Sequence, residues 1–259
     1  MPLFPDRARV IFSETNVDMP AGLRQSSACD LTLYHEAGRT GRGVMVVSVI
    51  CSLTFRNGTA TSGGATLTWT QAEKTGFMNS LRSQVNQVWS EKHRISTRST
   101  VPAVTDFGVM FDARVSENLS VFSHSHWNIA VVKVDSFNTS SVDVGGGGFA
   151  WNGSANLDSS DVNCVAKGGP VPQRATVHEF GHMMGLRDEY RNAAGAAEDN
   201  PNWLTDLGSV MNVGESIRDR HYAMFADWVT RQHHTIARLA RSAIIFKVNG
   251  TLELPNALL

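Results

Sequence analysis

Apolar positions change their period several times along the chain, and each change predicts an element. Val44–Phe55 is mostly apolar and rich in β-branched residues, and it ends at Asn57-Gly58. It reads as a buried strand closed by a turn, followed by a Gly/Ser/Thr loop over Thr59–Gly64. Phe77, Leu81, Val85, Val88 and Trp89 recur at helical spacing and predict a helix over Thr75–His93. Asp106–Val115 and Trp127–Val134 read as two more strands. Beyond the four-glycine loop Gly145–Gly148, short strands are expected at Phe149–Trp151 and Ser154–Val162, on either side of Asn152-Gly153.

Arg174–Gly185 is a second helix, preceded by Pro170 and Pro172 and stopped by Gly185. A polar loop spans Arg187–Leu207. Tyr222, Phe225, Val229, Ile236 and Leu239 then predict a third helix over Arg218–Arg241. Met1–Gly43 shows no sustained period and reads as an irregular extension with two short strands, Arg9–Ser13 and Asp30–His35. The tail Ser242–Leu259 adds one strand-like run, Ile244–Val248. The order predicts a mixed α/β fold, a mixed sheet with helices against it. The chain divides into an extension 1–43, a main domain 44–241 and a tail 242–259.

Composition narrows the function classes. The 259 residues carry 23 Lys plus Arg against 24 Asp plus Glu, a formal net charge of -1, which argues against a nucleic-acid partner. The longest apolar run, Val44–Leu53, is about half the ~20 residues a membrane helix needs, so no membrane span is expected. The first residues lack the basic-then-apolar-then-small pattern of a secretory signal. Cys29, Cys51 and Cys164 cannot form a complete disulfide framework and read as buried free thiols. Asn-X-Ser/Thr triplets begin at Asn57, Asn118, Asn138, Asn152 and Asn249, but without an export signal they say little.

The chemistry is concentrated in the second helix. His178 and His182 lie one turn apart on one face, so both imidazoles can reach one ion at about 2.0–2.1 Å. Glu179 flanks that ion without having to ligate it, the place of a general base acting on a metal-activated water. Gly185 can end the helix in the left-handed conformation and turn the chain back, so that Asp188 presents a third ligand. Glu189 is adjacent, and Glu198 and Asp199 remain candidates for a site of different design.

His178, Glu179, His182, Gly185 and Asp188 together resemble the extended zinc motif of the metzincin metallopeptidases, with Asp as third ligand as in the snapalysin-type minority. Ser209-Val210-Met211-Asn212 is similar to the methionine turn that the family places beneath its metal, and Met211 is then packing, not a ligand. The resemblance covers about Val44 to Arg241. It implies a zincin-like three-layer architecture on a twisted, mixed five-stranded sheet. The implied order is strand, helix, two strands, an antiparallel rim strand, another strand, then the zinc helix. It also implies a zinc endopeptidase with one catalytic Zn2+ and a protein or peptide substrate docked on a rim formed by Gly147, Gly148, Phe149, Ala150, Trp151 and Asn152. A monomer is expected, and a protease without a secretory signal is expected to be secreted or injected by another route. An effector protease with a narrow target and a non-catalytic zinc-scaffold binding module are the alternatives.

Other candidates have plainer readings. Val213 stands where the tyrosine-ligand branches carry Tyr, so no tyrosine switch is expected, and Tyr190 and Tyr222 read as core or rim residues. His124 and His126 share a strand face without a completing carboxylate and read as a surface pair. His233-His234 reads as solvated.

Overall fold

The computed structural model describes residues 10–19, 25–36, 38–99, 102–119, 124–136, 138–143, 153–165, 171–191, 201–237 and 244–249. Its elements in order are β1 (Val10–Met19), β2 (Gln25–His35), β3 (Gly41–Arg56), β4 (Gly58–Thr59), β5 (Thr66–Leu67), α1 (Gln71–Trp89), β6 (Arg94–Ser96) and β7 (Val104–Glu117). There follow β8 (Trp127–Val132), β9 (Ser141–Asp143), β10 (Gly153–Asp158), α2 (Ala175–Met183), 3-10 turns at Pro201–Trp203 and Asp219–Tyr222, α3 (Ala223–Ala237) and β11 (Lys247–Val248). This is a mixed α/β fold, as the periodicity predicts. None of the described helices is long and apolar enough to cross a membrane.

The sheet is organised around β3. One edge of β3 runs parallel to β7 from Gly41 to Leu53. The other edge serves two neighbours in succession: β2 antiparallel over Gly43–Ser48, then β8 parallel over Cys51–Arg56. Beyond β8 the sheet continues with β10, parallel, and β9, antiparallel. On the far side β6 and β11 extend it from β7, both antiparallel.

Several features differ from the sequence reading. Among the described residues the sheet has nine strands where the resemblance implies five, because β1, β2, β6 and β11 join it, and the helix expected from Arg218 begins at Ala223 after a 3-10 turn. The stretch before Gly43 is no irregular extension in its described part, because β1 and β2 form a long antiparallel pair joined to β3. The expected short strands Arg9–Ser13 and Asp30–His35 fall on β1 and β2 but cover only part of them, because register shifts and left-handed backbone at Asn16 and Ser27 break the two-residue alternation. The antiparallel edge strand is Ser141–Asp143, whereas Gly147–Asn152 lies outside the described residues. The last parallel strand stops at Asp158 instead of Val162. There the Asp158 carboxylate accepts from the Ser160 N–H and that of Asp161 from the Asp158 N–H, turning the chain.

Helix α1 starts at Gln71, four residues before the apolar pattern shows it, because Thr70 and Glu73 form a capping box. Its buried face, Phe77, Leu81, Val85 and Trp89, delivers the Trp89 ring to the middle of the molecule. Around Trp89 lie Phe111 of β7 at 5.8 Å and Phe180 of α2 at 5.6 Å. The Trp89 Nε1–H donates to the Val177 carbonyl at 3.2 Å. α2 is thus seated on α1 and the sheet by rings and one buried hydrogen bond. At the other end, Trp228 and Gln232 of α3 both donate to Glu14 of β1, so the first strand is bound to the last helix.

Candidate metal centre

α2 is short and almost wholly buried, and its two ends are fixed by different means. At the N-terminus the Glu215 carboxylate accepts the Arg174 N–H at 2.7 Å and pairs with the Arg174 guanidinium. A negative charge there also complements the helix dipole. At the C-terminus Gly185 has φ 82, its N–H donates to His182 O, and the Leu186 N–H donates to Gly181 O. This Schellman turn sends the chain back towards its own helix.

The reversal brings Asp188 to the two histidines. Asp188 Oδ1 lies 3.1 Å from both His178 Nε2 and His182 Nε2, and the two Nε2 atoms lie 3.1 Å apart. A tetrahedral ion with bonds of about 2.0–2.1 Å spaces its ligands by about 3.3 Å, so the three atoms have the separation of a ligand set. The tautomers agree. His178 Nδ1 is 2.7 Å from Val210 O and His182 Nδ1 is 2.8 Å from Leu186 O. Carbonyls only accept, so each Nδ1 carries the proton and each Nε2 turns a lone pair inward. Three acceptors facing one another need a shared cation or an added proton, and the cluster could hold a metal ion. With protons alone, burial works against the charge on His182, but Asp188 raises that imidazole to about 9. Burial likewise opposes the charge on Asp188, but both histidines hold its carboxyl well below the usual range.

Glu179 is 6% exposed, and its Oε2 has no hydrogen-bond partner among the described residues. Burial pushes its pKa up, with Asp188 and Asp161 adding to the shift and the two histidines opposing it. A buried acid without a structural bond is costly and calls for a functional explanation.

Met211 lies directly under the helix. A Cβ built on Gly181 would meet Met211 Sδ at 2.2 Å, so a larger residue between the two histidine turns would have to displace the Met211 side chain. The turn carrying Met211 is clipped to the segment leading into α2 by Gln173, whose Nε2 donates to Val210 O at 2.9 Å and Asn212 O at 3.1 Å. Glu189 does not face the histidines. Its carboxylate is fully buried against Arg220, with both contacts at 2.8 Å, so Asp188 is the acid that completes the cluster. Tyr190 is half-buried with its ring 6.1 Å from that of His178, while Tyr222 is a core residue donating to the Trp89 carbonyl.

Several sequence readings change. His126 is not at the surface: it is fully buried, accepts the Ile50 N–H at Nδ1 and meets Asp30 at Nε2, pinning β2 to β3. His233 is buried, with Nδ1 bonded to Val229 O, and His234 bonds Ile244 O. Cys29 and Cys51 are buried, whereas Cys164 is exposed. Glu198 and Asp199 lie outside the described residues. Gln173, Glu215 and Arg220 carry no signal in the sequence alone. None belongs to a local motif, and their partners are distant along the chain.

Comparison of the chain with protein-family models, with curated proteins and with solved structures gives no match.

Proposed function

We propose that the chain is a zinc-dependent endopeptidase of metzincin type, with a zincin-like architecture. The observation that carries the reading is the convergence of His178 Nε2, His182 Nε2 and Asp188 Oδ1 at 3.1 Å, both imidazoles being oriented by backbone carbonyls. The run β3, α1, β7, β8, antiparallel β9, β10, α2 supports it, since it follows the order the resemblance implies, with β9 in the rim place and the short strands β4, β5 and β6 as additions. Met211 beneath Gly181 adds support.

His178, His182 and Asp188 would hold the ion. Zinc bound there would supply a Lewis acid that polarises the scissile carbonyl and acidifies water. Glu179 Oε2 takes a proton from the attacking water and passes it to the leaving amine nitrogen. Its buried setting favours the protonated form and so suits both halves of that transfer. An extended peptide would add to the edge of β9 that has no strand partner among the described residues, using backbone hydrogen bonds for affinity.

The test compares wild type, Glu179→Ala and His178→Ala for bound zinc and for cleavage of an unfolded protein. Zinc is expected in the first two, and cleavage in wild type alone. The loss at Glu179→Ala should be about 10²–10⁴-fold. No zinc in wild type would overturn the site. Zinc in both wild type and Glu179→Ala, with cleavage in neither, would replace the peptidase by a binding module.

A further inference from the structure

Asp188 reaches the histidines from a segment without regular structure, and a ligand on such a segment needs external support to hold its geometry. The support is concentrated in the next residue. The Glu189 N–H donates to Met211 O at 2.8 Å, and the Glu189 carbonyl accepts from the Asn212 side chain. The two carboxylate oxygens take the Nε and Nη2 of Arg220 as a parallel pair. Arg220 is in turn fixed by Asp206 at 2.6 Å and by the Trp203 ring 4.2 Å beneath its guanidinium. Asp206 is also held by Arg218. His221 accepts the Arg218 N–H at Nδ1, so its Nε2 carries the proton, and Nε2 lies 3.5 Å from Glu189.

We infer that Glu189 is a positioning residue for the metal centre: its buried lock on Arg220 fixes the peptide that joins it to Asp188, and so aims the third ligand. The inference rests on the proposed metal reading of His178, His182 and Asp188. The peptide plane that contains the Asp188 carbonyl and the Glu189 N–H also contains the Asp188 Cα, so the bond to Met211 anchors the point from which the Asp188 side chain extends. The ionic lock couples that plane to the 3-10 turn before α3, whose residues touch no ligand directly. A buried ion pair is no better for stability than a well-packed apolar pair, so its value here lies in direction and register. The fork of Arg220 supplies that direction, which a lysine could not reproduce.

The experiment uses the full chain as wild type, Glu189→Gln, Arg220→Lys and the double variant Glu189→Met with Arg220→Met. Zinc affinity is read by chelator competition, ligand geometry by the absorption spectrum of the cobalt-loaded protein, and stability by urea unfolding of the metal-free form. The single variants are expected to lose about 10–100-fold in zinc affinity and to change the cobalt spectrum. The double variant, with an apolar pair in place of the charges, is expected to recover stability but not affinity. A double variant as stable as wild type, with unchanged zinc affinity and cobalt spectrum, would overturn the inference. Wild type that takes up neither metal would strike the proposed function itself.

Discussion

Gly181→Ala puts one methyl group where the structure has no room. The new Cβ would lie 2.2 Å from Met211 Sδ, 3.1 Å from Met211 Cε and 3.3 Å from Trp89 Cζ2. Ordinary contact begins near 3.4 Å, so the sulfur must retreat by about 1.2 Å. Met211 is fully buried, and its backbone is tied to Ser209 Oγ and to the Glu189 N–H, so the turn cannot slide freely. Overpacking of this kind costs about 1–3 kcal/mol. Replacing a helical glycine by alanine returns about 0.5–1 kcal/mol. The net expectation, with the clash at the upper end of its range, is a loss of about 2 kcal/mol. Gly76 in α1 provides the control, since a Cβ there meets nothing within 4 Å. Gly76→Ala should therefore stabilise by about 0.5–1 kcal/mol. Urea unfolding of the metal-free proteins, with equal m-values, reads both changes. Midpoints that move in the same direction for the two substitutions would refute the packing argument.

Two other expectations concern parts of the fold away from the candidate metal centre. The Lys133 ammonium, with the N–H and hydroxyl of Thr70, holds the Glu73 carboxyl at about 2, below its ordinary 4.5. Its contribution to stability is complete above pH 4.5 and is lost as the pH falls through about 2, so the midpoint gap between wild type and Glu73→Gln should close over that window. A gap that stays constant down to pH 2 would contradict the linkage. His126→Leu removes the acceptor of the buried Ile50 N–H and should cost about 1–3 kcal/mol in thermal or urea unfolding. An unchanged midpoint would show that the histidine is not the pin between β2 and β3.

Legibility along the chain follows the range of the interactions. Phe77, Leu81, Val85 and Trp89 announce α1 because a helix repeats within a few residues, and all four are buried as that spacing requires. His178, Glu179, His182, Gly185 and Asp188 are legible together for the same reason, since a helix turn and its glycine stop are local geometry. β1 and β2 are legible only in part, at Arg9–Ser13 and Asp30–His35, because bulges at Asn16 and Ser27 break the alternation that the full strands would otherwise display. The burial of His126 and His233 is equally hidden, because their partners Ile50, Asp30 and Phe246 come from other elements.

The amino-acid sequence by itself determines the residue types of the candidate centre, their spacing on one helix face and the glycine that ends that helix. These depend on backbone geometry within about three turns, which any chain of this sequence would share. Only the tertiary structure decides between Asp188 and Glu189. The two acids are neighbours in sequence, but Arg220, thirty-one residues beyond Glu189, takes Glu189 into the interior and leaves Asp188 to the histidines. It also decides the imidazole tautomers through Val210 and Leu186, and the placing of Met211 against Gly181. Each of these requires a loop to close before the contact exists. Loop closure is set by the whole packed core and not by any local period.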